Sequence, residues 1–379
     1  MNDINDKNIN EAGDNYISET NDKMLMSVPV DLLYDGMVIQ DDIYDSSGSR
    51  LLISSGNTLS EIQIERIKRM NSGAYNIYVT GRTHRSMISK RPDIEIESRQ
   101  DVEESTGYAK SNNETFKLLE EIAGSKTVNT ESLQVVSSEL SDRLAETPPT
   151  TILSLINAMA PVSEYLQRHS VNVSLLNGLI GRWMGASEKE VDDLVLIGLL
   201  HDCGKTLIPP KILNAPRKLT TVEYEVAKMH VNYTYDLLAD FPEYIRIAAS
   251  SHHERTNGTG YAKKLSIDNI MLAARITAVS DTYDAIVSSR AFQKPQSPFF
   301  TLALLEKLSE NEFDKTVVSI FTKNMPGELM NKPVMMSDGT IGVVREFDPD
   351  DIEYPMVELS GHTVKSNESL YISNMFSDD

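Results

Sequence analysis

Helix-like patterns of apolar residues run almost without a break from residue 151 to about residue 323 of this 379-residue chain. Turn-forming residues interrupt them only briefly, at Gly185, at residues 208–210, near Pro242, at residues 257–260 and at residues 295–298. So long a helical stretch predicts a mainly α fold in which several helices bury a common core. Because no run reaches about 18 apolar residues, we expect no membrane span.

Smaller segments flank the helical region. Strand-like runs alternate with turn residues on both sides of it, and Ser60 is placed to cap one short helix in the N-terminal part. The sequence therefore predicts five segments along the chain. They are a disordered tail at 1–26, a small α+β domain at 27–81, a linker and helical connector at 82–150, the main helical domain at 151–325, and a small β appendage at 326–379.

Composition excludes several classes of function. The formal net charge of −20 argues against non-specific DNA binding, which needs a basic face, and against attachment to anionic lipid. This acidity lies outside residues 201–300, where 12 Lys or Arg stand against 10 Asp or Glu. A single cysteine excludes an intramolecular disulfide, and the polar N-terminus does not resemble a secretory signal. We therefore expect a cytoplasmic protein.

Five of the seven histidines fall between residues 169 and 253, on or at the ends of predicted helices. His201 and Asp202 directly follow an apolar run, and two polar groups at the end of a core helix are costly to bury unless they are satisfied. A metal ion would satisfy both. Adjacent helical residues diverge by about 100°, so this pair can reach two metals, or one metal with a bridging carboxylate. Any one histidine alone is more simply interpreted as a surface or core residue, and His84 and His362 are assigned no role.

The order of these residues closely resembles the HD-GYP domain, a subgroup of the HD metal phosphohydrolases. The matching residues are His169, His201-Asp202-Cys203-Gly204-Lys205, His230, His252-His253-Glu254-Arg255, Gly260-Tyr261-Ala262 and Asp281. The resemblance covers roughly residues 151–323. It implies a helical domain that holds two divalent metal ions and hydrolyses cyclic di-GMP to linear pGpG, or further to GMP.

The resemblance also assigns roles by position. One metal would be held by His169, His201, Asp202 and Asp281, and the other by His230, His252 and His253, with Asp202 bridging the two. The family suggests iron or manganese, although this donor set also suits cobalt, nickel or zinc.

Substrate contacts are carried over in the same way. Tyr261 and Arg290 match residues of the family that contact the substrate. Lys205, four residues after His201, could by its own chemistry contact a phosphate oxygen and offset the charge that develops there. Arg255 and Arg275 stay open between substrate contacts and structural ion pairs. Cys203 is better interpreted as a small buried residue than as a reactive thiol.

Three positions depart from the family pattern. Ala262 replaces the proline of the GYP signature, and Gln293 stands where many members carry a basic residue. Tyr165 occupies the position at which some members place a glutamate ligand for a third metal. Ala262 would loosen the substrate loop, and Gln293 would remove one phosphate contact. Tyr165 favours a two-metal site, with the linear dinucleotide as the main product if a third metal promotes complete hydrolysis.

Other functions compete with this one. The chain could be a non-catalytic module that binds cyclic di-GMP, or an HD phosphohydrolase for another nucleotide or cyclic dinucleotide. The complete ligand set argues against the first alternative, and the HHER and GY elements argue against nucleotides such as dNTPs or alarmones. A homodimer or a signalling partner bound through the N-terminal domain is left open.

Overall fold

A computed structural model of the chain describes residues 23–29, 33, 36–40, 42–44, 51–70, 76–82, 107–157, 165–213, 215, 217–288 and 296–375. Most of the predicted tail and the predicted linker up to residue 106 lie outside these ranges. The mainly α fold is confirmed, with a small α+β module before the helices and an antiparallel sheet after them. Within the described ranges, no helix combines the length and the apolar content that crossing a membrane would require.

The described part of the N-terminal module contains one helix and short strands. They are β1 (Lys23–Pro29), β2 (Val38–Ile39), β3 (Ile43–Tyr44), β4 (Leu51–Ile53), α1 (Glu61–Met70) and β5 (Asn76–Arg82). The strands form an antiparallel sheet of order β1-β5-β2 and a separate β3-β4 pair. Ser60 caps α1 as predicted, since Gln63 N donates to Ser60 Oγ at 3.4 Å and Gln63 Oε1 accepts from Ser60 N at 2.8 Å.

Strand β1 begins inside the segment predicted to be a tail. The four residues 23–26 pair with residues 79–82 of β5. The run Met24-Leu25-Met26 is apolar, unlike the Asn- and Asp-rich residues before it, so pairing with β5 satisfies its backbone groups. The ordered module therefore begins earlier than residue 27.

The helical part of the chain accounts for most of the described structure. Its α-helices are α2 (Tyr108–Ser125), α3 (Thr130–Glu146), α4 (Pro149–Asn157), α5 (Tyr165–Trp183), α6 (Glu188–Leu200), α7 (Pro210–Leu213), α8 (Thr221–Lys228), α9 (His230–Leu237), α10 (Glu243–Ser250), α11 (Leu272–Val287), α12 (Pro298–Ser309) and α13 (Lys315–Glu328). Short 3₁₀ helices lie at Cys203–Leu207 and Ile267–Asn269.

Helices α2 and α3, which fall in the predicted connector, pack into the main core. Ile122 of α2 and Leu140 of α3 are fully buried in the same apolar cluster as Val195 of α6. Each helix carries one apolar stripe, and burying that stripe against α5 and α6 removes it from water. The continuous helical core therefore extends back to Tyr108.

Helices α5 and α6 approach closely in the centre of the core. A Cβ atom at Gly198 would overlap the backbone of Ser174, so only glycine allows this approach. Ser174 Oγ also donates to the Val195 carbonyl at 2.7 Å, and Asn177 Nδ2 donates to the Leu194 carbonyl at 3.1 Å. These contacts bring the N-terminal half of α5 beside the C-terminal end of α6, where the candidate site lies.

The predicted C-terminal β structure is a five-stranded antiparallel sheet. Its strands are β6 (Pro333–Met336), β7 (Ile341–Asp348), β8 (Asp351–Leu359), β9 (His362–Lys365) and β10 (Ile372–Met375), in the order β10-β6-β7-β8-β9. Val334, Val344 and Val357 are buried in the same apolar cluster as the helices. The sheet therefore shares the helical core.

Candidate metal centre

The predicted metal ligands come from five separate segments of the helical core. His169 lies on α5, His201 and Asp202 directly follow α6, His230 begins α9, His252 and His253 follow α10, and Asp281 lies on α11. We call these seven residues the His–Asp cluster. Six of them are buried and His253 is partly buried. The fold thus brings together ligands that lie up to about a hundred residues apart in the sequence.

Asp202 lies between two groups of histidines. Its Oδ2 atom is 3.3 Å from His169 Nε2 and 3.3 Å from His201 Nε2. Its Oδ1 atom is 3.4 Å from His230 Nε2 and 3.7 Å from His252 Nε2. Because each carboxylate oxygen faces a different group, Asp202 has the placement of a ligand shared by two sites.

Asp281 closes the cluster from the opposite side. Its Oδ1 atom lies 3.2 Å from His169 Nε2 and 3.9 Å from His201 Nε2. Its Oδ2 atom lies 3.9 Å from His253 Nδ1. The Nε2 atoms of the first group, His169 and His201, therefore face both Asp202 and Asp281. The carboxylate nearest to the second group, with His230, His252 and His253, is Asp202.

Backbone carbonyls fix the orientation of three imidazoles. The Nδ1 atoms of His201, His230 and His252 lie 2.7–2.8 Å from the carbonyl oxygens of the residues three positions earlier. A carbonyl oxygen can only accept, so Nδ1 carries a proton in each ring, and in the neutral form Nε2 keeps its lone pair. All three lone pairs point into the cluster, which is the tautomer a metal ligand needs.

A carboxylate performs the same task for His169. Asp284 Oδ2 accepts from His169 Nδ1 at 2.7 Å, and Asp284 is fully buried on α11. The sequence analysis did not single out Asp284. Its position one helical turn after Asp281 was the available signal, because residues three apart on a helix lie on the same face.

Several polar atoms of the cluster have no hydrogen-bond partner among the described residues. They are Asp202 Oδ1, His230 Nε2 and His252 Nε2, all buried. All three atoms are acceptors, so they cannot satisfy one another, and burying them unsatisfied is costly. A divalent cation accepts lone pairs from all three. The nitrogen and oxygen donors thus fit a divalent metal centre, as expected for this cluster.

Protonation states in the cluster also suit metal binding. Although burial opposes ionisation, Lys205 and His201 hold the pKa of Asp202 well below its usual range, and His169 does the same for Asp281. Burial and the nearby His201 lower the pKa of His252 to about 3. The site therefore presents ionised carboxylates and a neutral His252 at neutral pH.

His169 is the exception among these histidines. Burial lowers its pKa, but hydrogen bonds to Asp202, Asp281 and Asp284 outweigh this effect and raise the pKa to about 10. A proton on Nε2 and a metal compete for the same lone pair, so metal binding at His169 must displace this proton. Metal affinity is therefore linked to pH at this position.

Lys205 reaches the cluster from the 3₁₀ helix that follows Asp202. Helix α6 ends at Leu200, so Lys205 lies on a separate 3₁₀ helix and not on a continuation of α6. Its ammonium group pairs with Asp202 Oδ2, and its side chain remains 30% exposed. Lys205 thus lies between the buried carboxylate and solvent, on what we call the open side of the site.

Gly204 and Thr234 hold the His201-Asp202 segment against α9. A Cβ atom at Gly204 would overlap the His230 carbonyl oxygen and the Thr234 backbone nitrogen. Thr234 Oγ1 accepts from Gly204 N at 3.0 Å and donates to the His201 carbonyl at 3.1 Å. Sequence reasoning missed Thr234, whose role depends on a contact more than 30 residues away in the chain.

Cys203 behaves as the sequence analysis expected. Its side chain is fully buried in the apolar core, and burial raises the pKa of the thiol to about 12. A thiol with so high a pKa is a weak nucleophile at neutral pH.

The loop after His253 carries Tyr261 to the site. Glu254 is buried, and its two carboxylate oxygens accept from Lys263 N at 2.7 Å and Leu265 N at 2.9 Å. Tyr261 N donates to the His253 carbonyl at 3.2 Å, and the two rings stack with centroids 4.7 Å apart. Glu254 therefore fixes the loop that places an aromatic ring beside the cluster.

Two arginines left open by the sequence have structural partners. Arg255 Nη1 donates to the His252 and Glu254 carbonyls at 3.1 and 3.0 Å, and Arg275 pairs with Asp314. Both side chains therefore support the local fold around the site.

The other residues named from the sequence have no described contact with the His–Asp cluster. Arg290 and Gln293 lie outside the described residues, as does His84. Tyr165 is the first residue of α5, but its side chain is not described. His362 is exposed on β9.

Comparisons with known proteins agree with this geometry. Residues 154–317 match the HD domain family. Over 214 residues the chain is 32% identical to cyclic di-GMP phosphodiesterase PA4108 of Pseudomonas aeruginosa, covering 56% of this chain and 51% of that protein. Over 156 residues it is 32% identical to 3'3'-cGAMP-specific phosphodiesterase 2 of Vibrio cholerae, covering 40% of this chain and 30% of that protein. The chain spans about half the length, or less, of these relatives.

A solved structure shares the fold. Bd1817, a HDG"Y"P protein from Bdellovibrio bacteriovorus, superposes with a TM-score of 0.50 at 16% identity, over 80% of this chain and 100% of that chain. At this identity the likeness concerns the fold alone. The family match, the relatives and the buried His–Asp cluster agree that residues 154–317 are similar to an HD domain.

Proposed function

We propose that this protein is a metal-dependent phosphodiesterase that hydrolyses cyclic di-GMP. The observation that carries the proposal is the position of Asp202, whose two carboxylate oxygens face two separate groups of histidines. One bridging carboxylate between two nitrogen-rich sites is the arrangement expected of a two-metal hydrolase. The 32% identity to a cyclic di-GMP phosphodiesterase supports this choice of substrate.

The cluster divides into two proposed ligand sets. His169, His201, Asp202 and Asp281 would hold one ion, and Asp202, His230, His252 and His253 would hold the other. Bound metal ions would lower the pKa of a water molecule and neutralise charge on the phosphodiester. Imidazole donors combined with carboxylates suit iron or manganese, which are the ions we propose.

The chain's own residues would orient the substrate. Lys205, beside Asp202 and partly exposed, places a positive charge at the open side of the site, where it can offset charge developing on a phosphate oxygen. Tyr261 offers an aromatic face next to His253, and Lys228 Nζ lies 5.6 Å from that ring. We assign substrate contacts to Lys205 and Tyr261, and also to Arg290 on the basis of its sequence position.

Product and substrate range are part of the proposal. Tyr165, which stands where a third-metal glutamate is found in some related domains, favours two metals and linear pGpG as the main product. A cyclic GMP-AMP phosphodiesterase is the second candidate, because the chain is also 32% identical to a 3'3'-cGAMP-specific enzyme. A non-catalytic binder is disfavoured, since all seven residues of the cluster are present and converge.

One assay separates these functions. Purified protein is incubated with cyclic di-GMP or 3'3'-cGAMP, together with Mn²⁺ or with Fe²⁺ under anaerobic conditions, and products are separated by chromatography. We expect pGpG from cyclic di-GMP and no turnover by the double variant His201→Ala, Asp202→Ala. Micromolar binding without turnover under either metal would exclude the enzyme. Turnover that survives the double substitution would exclude the assigned site.

A further inference from the structure

Tyr108, the first residue of α2, reaches into the core toward the metal centre. Its ring is only 2% exposed, and its hydroxyl group donates to Asn172 Oδ1 on α5. Arg168 Nε donates to the same hydroxyl oxygen at 3.4 Å. Because Arg168 can only donate, the hydroxyl proton of Tyr108 is directed toward Asn172.

This contact determines which way the Asn172 amide faces. With Oδ1 accepting from Tyr108, Nδ2 points away and donates to Asp284 Oδ1 at 2.6 Å. A rotated amide would place two oxygens, from Asn172 and Asp284, against each other in a buried environment. Tyr108 and Asp284 thus favour the same amide orientation, the one that donates a hydrogen bond to Asp284.

Asp284 passes this constraint to a metal ligand. Its Oδ1 atom accepts from Asn172 and from Ser288 Oγ at 3.1 Å, which leaves Oδ2 to accept from His169 Nδ1 at 2.7 Å. This bond keeps the Nε2 atom of His169 directed at Asp202 and Asp281, the position from which it would bind a metal. A continuous buried chain of hydrogen bonds therefore joins Tyr108 to His169.

We propose that Tyr108 is a positioning residue for the metal ligand His169, acting through Asn172 and Asp284. Its effect on catalysis depends on the phosphodiesterase function proposed above, whereas its effect on metal binding does not. Tyr108 also begins the helix that follows the N-terminal module along the chain. A change at the start of α2 would therefore act on this metal ligand through the same chain of hydrogen bonds.

The test compares two buried tyrosines, of which only Tyr108 belongs to the chain of hydrogen bonds that leads to His169. Tyr283 is fully buried on α11, and its hydroxyl group donates to Asn157 Oδ1 at 2.7 Å, outside the chain that leads to His169. Tyr108→Phe and Tyr283→Phe each remove one buried hydroxyl group bonded to an asparagine. General loosening of the core would therefore affect both variants.

The measured quantity is metal affinity. Mn²⁺ affinity is determined by calorimetry on chelator-treated protein, and the absorption bands of Co²⁺-loaded protein report the geometry of the ligands. We expect Tyr108→Phe to lower Mn²⁺ affinity about tenfold and to shift the Co²⁺ bands, and Tyr283→Phe to change neither. Asp284→Asn should lower the affinity by about 10- to 100-fold, and adding Tyr108→Phe to it should cost little more, because the link is already broken.

Two results would overturn the proposal. One is wild-type Mn²⁺ affinity and unchanged Co²⁺ bands in folded Tyr108→Phe protein. The other is an equal loss of affinity in Tyr283→Phe. If Tyr108→Phe does not fold, Asn172→Leu breaks the same chain at its middle and is measured in the same way. Failure of the wild-type protein to hydrolyse cyclic di-GMP would remove the proposed activity but leave the comparison of metal affinities intact.

Discussion

The ammonium group of Lys205 pairs with Oδ2 of Asp202, the oxygen that also faces His169 and His201. Lys205 is thus the residue that connects the buried bridging carboxylate with the partly open side of the site. Its charge is also a main reason why the pKa of Asp202 stays well below its usual range despite complete burial.

Replacing Lys205 should slow catalysis more than it weakens metal binding. Lys205→Met keeps most of the length of the side chain but removes the charge that would face a phosphate oxygen. We expect turnover of cyclic di-GMP to fall on the order of 10²- to 10³-fold, with KM changing less. Steady-state kinetics on metal-loaded protein measures this. The control is Lys189→Met. It removes an exposed ion pair with Asp193 near the start of α6, at the opposite end from His201, and should leave turnover unchanged.

Asp202→Asn should affect both proposed ligand sets at once. An amide replaces one carboxylate oxygen with an NH₂ group that cannot bind a metal and leaves the other oxygen neutral. One group of histidines therefore loses its shared ligand, and the other keeps only a weaker one. We expect metal affinity to fall by more than the roughly 10- to 100-fold typical of an outer-shell partner. Elemental analysis of purified protein measures the bound metal. Asp240→Asn, at an exposed position, should retain the full content; a full content in Asp202→Asn would contradict the bridging role.

Metal-free protein should lose stability on mild acidification because of His252. Its pKa is about 3 in the folded protein and about 6.5 when unfolded, so the unfolded chain binds more protons between these values. Stability conferred by the neutral ring is present above pH 6.5 and is lost as the pH falls. His252 alone should account for about 2 kcal/mol between pH 8 and pH 5.

Urea unfolding at several pH values, in the presence of a chelator, measures this dependence. His252→Asn should flatten the loss between pH 6.5 and pH 5, whereas replacement of the exposed His362 by Asn should not. His169 acts in the opposite sense. Its pKa is about 10 in the folded protein, so its contribution is complete below pH 6.5 and is lost as the pH rises toward 10. An unchanged acid slope in His252→Asn would contradict the burial of a neutral His252.

Gly204→Ala should distort the metal centre through simple overlap. The new methyl group would collide with the His230 carbonyl oxygen and the Thr234 backbone, so either the His201-Asp202 segment or α9 must move. We expect a loss of about 1–3 kcal/mol in stability together with weaker metal binding. Gly124→Ala is the matched control, because a Cβ atom at that helical position meets no atom within 4 Å and should be neutral or stabilising. Thermal unfolding and metal titration of both variants test this, and an undisturbed Gly204→Ala protein would contradict the close packing.

The sequence by itself determined the class of fold and the identity of the candidate ligands. The helical periodicity after residue 151 and the strand-like runs after residue 326 are local patterns, and each corresponds to the observed elements. His201 and Asp202 were recognisable because two polar residues end an apolar helix, a conflict that a metal ion resolves. Their order with the other histidines then resembled one known family.

Only the tertiary structure decided how these ligands are held. The link from Asp284 to His169 joins residues 115 positions apart, and the link from Tyr108 to Asn172 joins residues 64 apart. Local patterns contain no information about such partners, because a hydrogen bond depends on where the folded chain brings two atoms. The packing of α2 and of the C-terminal sheet into one core depends in the same way on contacts between segments that are distant in sequence. So does the placement of Asp202 between two groups of histidines, whose buried polar atoms must be satisfied.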